Sequence, residues 1–415
     1  MRSRRRPSVA TALVAAFLFS GLSSVLSLGL SLGDAAWAVP PSASPDDTSM
    51  TDGAVRSVVI ARGHVWISGN FSNVLDPNGS NPSPAGNIAA LRLSTGRLST
   101  TVVAPALDGG GAAQVRDMAL GPDGVLYVTG RFLYRFGGLD RRHTVGLDPA
   151  TGDIVRGFST LVGRTVLAGH DRIYVGGSRL RSYFPTGGRD PAFADVVPAL
   201  DETVRPPGET PQMLDLALMP DGDIVAAGHF DLINGAPQKV VVKVSARSGA
   251  VRTWSVAGVG PRSKAYGMST EVSGEQLFVG AGGSDFAALY EAPAPGADPT
   301  VWPQVWKTDT SGSAQAVAAY DATTVLVGGH FKTIAHGPRE QCGSNQEPIG
   351  SCLPIPRLAA LDRATGLTEP GWRPNPCCNY LGVWALAVRA GRVHVGGQFS
   401  QVAGVQQANY ARLSA

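Results

Sequence analysis

Val115-Arg116-Asp117-Met118-Ala119-Leu120-Gly121-Pro122-Asp123-Gly124-Val125-Leu126-Tyr127-Val128-Thr129-Gly130-Arg131-Phe132 reads as one hairpin. The first six residues are short and largely apolar, which suits a buried inner strand. Pro122-Asp123-Gly124 is a tight turn in which glycine supplies the positive φ that other residues avoid. Val125 to Gly130 is rich in β-branched and aromatic residues and reads as a second strand, closed by Phe132. After a loop, His143-Thr144-Val145-Gly146-Leu147-Asp148 predicts a third strand. The turn Ala150-Thr151-Gly152 leads to a fourth near Ile154–Phe158.

The same phrase returns along the chain at Val55–Phe71, Thr165–Ser178, Met213–Phe230, Tyr266–Gly283, Gln315–Phe331 and Val383–Phe399. Self-similarity at a period of roughly fifty residues marks a propeller or an array of stacked units. Short strands between regular turn signals, with no helical period, place the chain in the all-β class. The expected fold is a β-propeller of seven blades, each of four antiparallel strands. The third and fifth units are degenerate, which leaves six or eight blades open. The seventh unit stops after its third strand at Tyr410–Ala415, so a segment before Ala54 is the candidate for its missing outer strand.

The fullest copy, Met213–Gly235, carries Leu-Ala-x-x-Pro-Asp-Gly, then Gly-His-Phe and Asn-Gly. Further copies are Gly328-Gly329-His330-Phe331 and Gly396-Gly397-Gln398-Phe399, and a Leu-Asp-x-x-Thr-Gly turn recurs. These motifs resemble the delta-60 repeat of exported bacterial β-propellers over most of residues 54–415. The resemblance implies the fold and implies no single activity or catalytic set.

Residues 1–38 read as a signal peptide. Arg2, Arg4, Arg5 and Arg6 precede an uncharged stretch from Pro7 to Gly33, and Ala36-Trp37-Ala38 is an A-x-A cleavage site. The stretch is long enough to be an uncleaved anchor instead, but its Ser and Gly content and the cleavage triplet favour removal. Ser3-Arg4-Arg5 is a weak twin-arginine hint. Export to a secreted location follows, with no stable membrane span after cleavage. Removing four arginines and one aspartate from totals of 35 basic and 32 acidic residues leaves 31 of each. With no basic excess, nucleic acid is not an expected partner. Residues 39–53 carry Pro, Ser and Asp and read as a flexible lead-in that could close the ring. Residues 54–415 form the propeller.

In a propeller the loops after the second and fourth strands share one face. The long segments all fall in that class: Asn73–Gly86, Pro105–Ala113, Ala199–Gln212, Thr333–Pro356 and Asn375–Gly382. Loops on a rigid scaffold are where recognition concentrates. The middle residue of Gly-x-Phe lies at the same mouth: Asn70, Arg131, His229, His330 and Gln398. These five form a candidate ligand-binding collar, or they hydrogen-bond only to loops. His229 and His330 alone do not complete a metal site, which needs three or four ligands, and no metal or other cofactor is expected.

Cys342, Cys352, Cys377 and Cys378 cluster in an exported chain, so disulfides are expected. Two bridges between the two loops rank ahead of a vicinal Cys377–Cys378 bond. Asp76-Pro77-Asn78-Gly79-Ser80 lacks the closing Glu of a calcium loop. Asp117 and Asp215 occupy equivalent inner-strand places and are expected to bind backbone amides near the axis. No P-loop, nucleophile elbow, His-Glu-x-x-His or Cys-x-x-Cys is present. The expected function is therefore non-catalytic binding of an extracellular protein or glycan through the long-loop face. The alternative is an extracellular lyase, hydrolase or quinone-dependent dehydrogenase working at the channel mouth.

Overall fold

A computed structural model describes residues 40–107, 113–169, 171–338, 340–343, 352–379 and 381–414. The signal-peptide reading lies outside these residues. Every regular element among them is a β-strand.

Each repeat folds into its own antiparallel sheet, and the sheets pack in chain order. The inner strand Val55–Ala61 contacts Gln114–Leu120, which contacts Gly163–Ala168. The series continues through Gln212–Leu218, Tyr266–Ser273, Ala314–Ala319 and Gly382–Arg389, which returns to Val55–Ala61. The cycle is closed.

The apolar cores lie between units rather than within them. Trp66 and Ile88 of the first unit share a cluster with Leu126 and Val128 of the second. Phe278 and Trp306 of the fifth pack on Val325 and Phe331 of the sixth. Val58 and Phe71 of the first meet Ala385 and Tyr410 of the seventh, which seals the ring. The phenylalanine of Gly-x-Phe is the fixed point: Phe71, Phe132, Phe230, Phe331 and Phe399 are all buried. Its glycine is required by close approach, because a Cβ on Gly69 would stand 1.9 Å from the Ala54 carbonyl oxygen.

Three features differ from expectation. Full four-stranded sheets form only in units two and five; units one, four and six reduce the fourth strand to a single bridge. Unit five, degenerate in sequence, is thus among the most regular. In unit two the expected loop after Phe132 is a β-ribbon. Leu126–Phe136 pairs with Leu139–Leu147 across Gly137-Gly138, both at positive φ as a tight hairpin requires.

The third concerns residues 39–53, whose composition predicts a flexible lead-in and whose position makes them the candidate to close the ring; the described part of the segment is ordered against the last strand. Ser42 N donates to Ser414 O at 2.9 Å and Asp46 N to Arg412 O at 2.8 Å, so this stretch runs beside the strand Tyr410–Leu413. Trp372 Nε1 donates to Pro41 O at 2.7 Å, and Asn409 Nδ2 to Thr51 O at 2.8 Å. On the other side Ser49 N bonds Gly96 O at 3.1 Å, and Asp47 pairs with Arg97. The segment clasps unit seven to unit one, with Thr48 to Thr51 fully buried.

Candidate functional site: the mouth of the central channel

Every inner strand carries one register shift near its start. Val55 pairs with Gly69 and Ser57 with Ser68, so Arg56 opposes nothing. The same bulge frees Arg116, Arg164, Leu214, Met268, Gln315 and Trp384 in the following units. A bulge redirects a side chain away from the pairing pattern. Here all seven bulged residues line one cavity of about 340 Å³ at the long-loop end of the channel.

The chemistry of this ring is lopsided. Units one to three contribute Arg56, Arg116 and Arg164, while the facing wall is Leu214, Met268, Gln315 and Trp384. The Arg56 guanidinium sits 4.0 Å from the centre of the Trp384 ring, a cation–π contact. Burial, and then the charge of Arg164, lower the pKa of Arg56. The same causes, with Arg56 and Arg131 added, bring Arg116 down to about 10.

Beneath lies a second cavity of about 330 Å³ that reaches Asp117, Asp215 and Glu271. Asp117 accepts from Ser57 Oγ and Thr165 Oγ1, both at 3.0 Å, and from the amides of Met118 and Val166 at 2.8 and 2.9 Å. It therefore joins three consecutive inner strands. Asp215 repeats the arrangement, accepting from Leu216 N at 2.9 Å and from Thr270 N at 2.6 Å. The expectation that these carboxylates serve backbone amides holds. Burial pushes Asp117 up, and burial with the nearby Asp117 charge pushes Asp215 to about 7. Glu271 rises to about 7 by burial as well.

Of the collar residues, His229 reaches the arginine-lined cavity, where its ring packs 4.6 Å from that of Tyr266. His229 Nε2 approaches Glu209 Oε2 at 2.8 Å without hydrogen-bond alignment. Burial, reinforced by Arg205, lowers its pKa and favours the neutral imidazole. Asn70, Arg131, His330 and Gln398 lie outside the lining; Asn70 and Arg131 are exposed, and the other two are half-buried. His330 stands near Asp285 and Arg357 instead. Among the described residues no group of three His, Cys, Asp or Glu side chains is placed to hold a metal ion. The turn at Asp76 closes on itself through Asp76 N to Ser80 O at 2.9 Å.

The bulged residues were not singled out in the sequence. The available signal was positional: in the five clear units each directly follows the inner-strand residue that pairs with the glycine beginning Gly-x-Phe. Two larger grooves, of about 470 and 560 Å³, lie elsewhere on the surface. Each contains an ion pair, Arg252 with Asp223 in one and Arg97 with Asp47 in the other.

The cysteines pair against expectation. Cys342 bonds Cys352 within one loop, at a Cα separation of 5.7 Å, and Cys377 bonds its neighbour Cys378. The reason is local. Leu353 exchanges two backbone hydrogen bonds with Ile334, folding the long loop back on itself and bringing its own cysteines together. Cys377 is held elsewhere, its amide bonded to Gln401 O at 2.9 Å. Closing so short a loop contributes about 2–3 kcal/mol locally. Replacing Cys342 and Cys352 together by serine should therefore speed protease nicking of the 333–356 loop on the order of tenfold or more, with global melting little changed. Limited proteolysis reads this directly, and cleavage at the wild-type rate would count against a bracing role.

No family model matches the chain, and no curated protein does. Among solved structures, the chain is similar to the computationally designed Ika8 protein at 12% identity and a TM-score of 0.48, covering 90% of this chain and 100% of that one. The WD40 β-propeller domain of Doa1 aligns at 9% identity and 0.47, covering 89% and 95%. BamB from Moraxella catarrhalis aligns at 11% identity and 0.41, covering 88% and 97%.

Proposed function

We propose that this is an exported, non-catalytic β-propeller of the delta-60 repeat kind, which recognises an extracellular protein or glycan through its long-loop face. One observation carries the reading: seven bulged side chains converge on a single mouth, and four of them, Arg56, Arg116, Arg164 and Trp384, are of the arginine and aromatic types that dominate binding hot spots. A catalytic site calls for titratable groups free to exchange protons with a substrate. In this channel Asp117 and Asp215 are committed to strand amides and hydroxyls, so that Glu271 alone of the three carboxylates is left uncommitted, without a second such group to form an acid–base pair. The signal-like residues 1–38 and the Cys342–Cys352 bridge support an oxidising, extracellular setting. The delta-60 resemblance is supported by the recurring buried Phe and bulge-facing Gly of each clear unit.

The test is an oxidised preparation of residues 39–415 screened on glycan arrays and against purified secreted proteins, each hit being titrated at equilibrium. Trp384→Ala should weaken binding by roughly tenfold or more, the usual effect of removing an aromatic anchor. Unchanged affinity in that variant, or a converted ligand recovered after incubation, would overturn the reading.

A further inference from the structure

We infer that Arg56, Arg116 and Arg164 form a binding site for an oxyanion: a sulfate, phosphate or carboxylate group. The three side chains leave the bulges of consecutive units and enter one cavity. None of the three takes part in an ion pair among the described residues, and no acidic group raises the pKa of any of them. The lower cavity, which the same arginines also line, holds three carboxylates: Asp117 and Asp215 spend their oxygens on strand amides and hydroxyls, and burial raises Glu271 toward its neutral form. The Nε atoms of Arg56 and Arg116 are buried and have no acceptor.

Buried or half-buried charges in proteins are ordinarily paired, because removing them from water is costly. Three converging guanidiniums without a counter-charge are the exception that a bound anion resolves. Guanidinium forks match the paired oxygens of such groups, each offering two parallel N–H donors. Trp384 fixes Arg56 from one side by stacking. Burial first, and then the charges of Arg164, Arg56 and Arg131, bring Arg116 down to about 10, a cost that an anion between the guanidiniums would relieve. Leu214 and Met268 on the opposite wall favour an anionic group carried on a less polar body. Which body carries it rests on the recognition reading above; the anion site itself does not.

Inorganic sulfate is the first probe, titrated calorimetrically into residues 39–415 at ionic strength held constant with sodium chloride. Saturable millimolar binding is expected, weakened roughly tenfold or more in Arg116→Gln and in Arg164→Gln. Arg389→Gln, exposed at the far end of the seventh inner strand, should bind as wild type. The unliganded Arg116→Gln protein should melt no lower than wild type, since the change relieves like-charge repulsion; this separates lost binding from lost folding. Absent sulfate binding in the wild type, or wild-type affinity retained in both triad variants, would overturn the site. A second arm compares sulfated, phosphorylated and uronic-acid disaccharides with their free anions. A tenfold gain for one of them places the anion on a glycan. Sulfate binding with no gain for any sugar keeps the site and overturns the glycan half of the recognition reading.

Discussion

Replacing Asp117 with alanine is expected to lower the unfolding free energy by about 2–4 kcal/mol, a large effect for one residue on a channel wall. Its two oxygens accept four hydrogen bonds that tie the inner strands of units one, two and three. Alanine leaves two hydroxyls and two amides to find new partners in a narrow channel. The donors belong to different sheets, so the loss falls on the contacts that hold adjacent units together. Asp117→Asn keeps one oxygen but turns an NH₂ toward donors, so it should recover only part of the loss. Denaturant unfolding of both variants measures the difference. An alanine variant within 0.5 kcal/mol of wild type, on the order of a neutral surface change, would show that the strand packing does not depend on this carboxylate.

Removing the clasp should cost more. A chain beginning at residue 52 loses the backbone bonds of Ser42 and Asp46 to the last strand and the Trp372 anchor on Pro41. It also loses Ser49 on Gly96 and the burial of Met50. At about 1 kcal/mol per net hydrogen bond, with added apolar burial, the loss is roughly 4–6 kcal/mol. The second consequence is association. Tyr410–Leu413 would present an uncovered strand edge, which recruits edges of other chains. Unfolding curves read the first effect and light scattering at increasing concentration the second. A truncated chain that stays monomeric with unchanged stability would mean the seam holds without the clasp.

The sequence made the propeller legible because its signals repeat. Phe132, Phe230 and Phe331 fall at the same place in each unit, and Pro122-Asp123-Gly124 recurs as Pro220-Asp221-Gly222. The mouth was less legible for a physical reason. A bulged residue escapes pairing and packing, so Arg56, Leu214 and Trp384 share a position but no chemistry, and nothing in composition links them. The collar reading followed residues that do repeat, and only His229 of these enters the cavity. The clasp was half legible: the seventh unit's missing outer strand pointed to a segment before Ala54, but Ser42, Asp46 and Thr48 look like linker residues because they dock through hydrogen bonds rather than an apolar pattern. The cysteine pairing turned on the hydrogen-bonded fold-back of Ile334 on Leu353, a contact no spacing rule reports.

The bulge has one more consequence, for how such a ring diversifies. Structural demands fall on the residues beside it: the glycine opposite, the phenylalanine two places on, and the polar residue that follows where it bridges strands. The bulged position itself is relieved of all three duties. Each turn of the ring thus offers one site whose identity can drift without disturbing the blade that carries it, and all seven sites face the same opening. The scaffold separates what must stay constant from what can be rewritten, so a change of partner requires edits at the mouth and none in the frame.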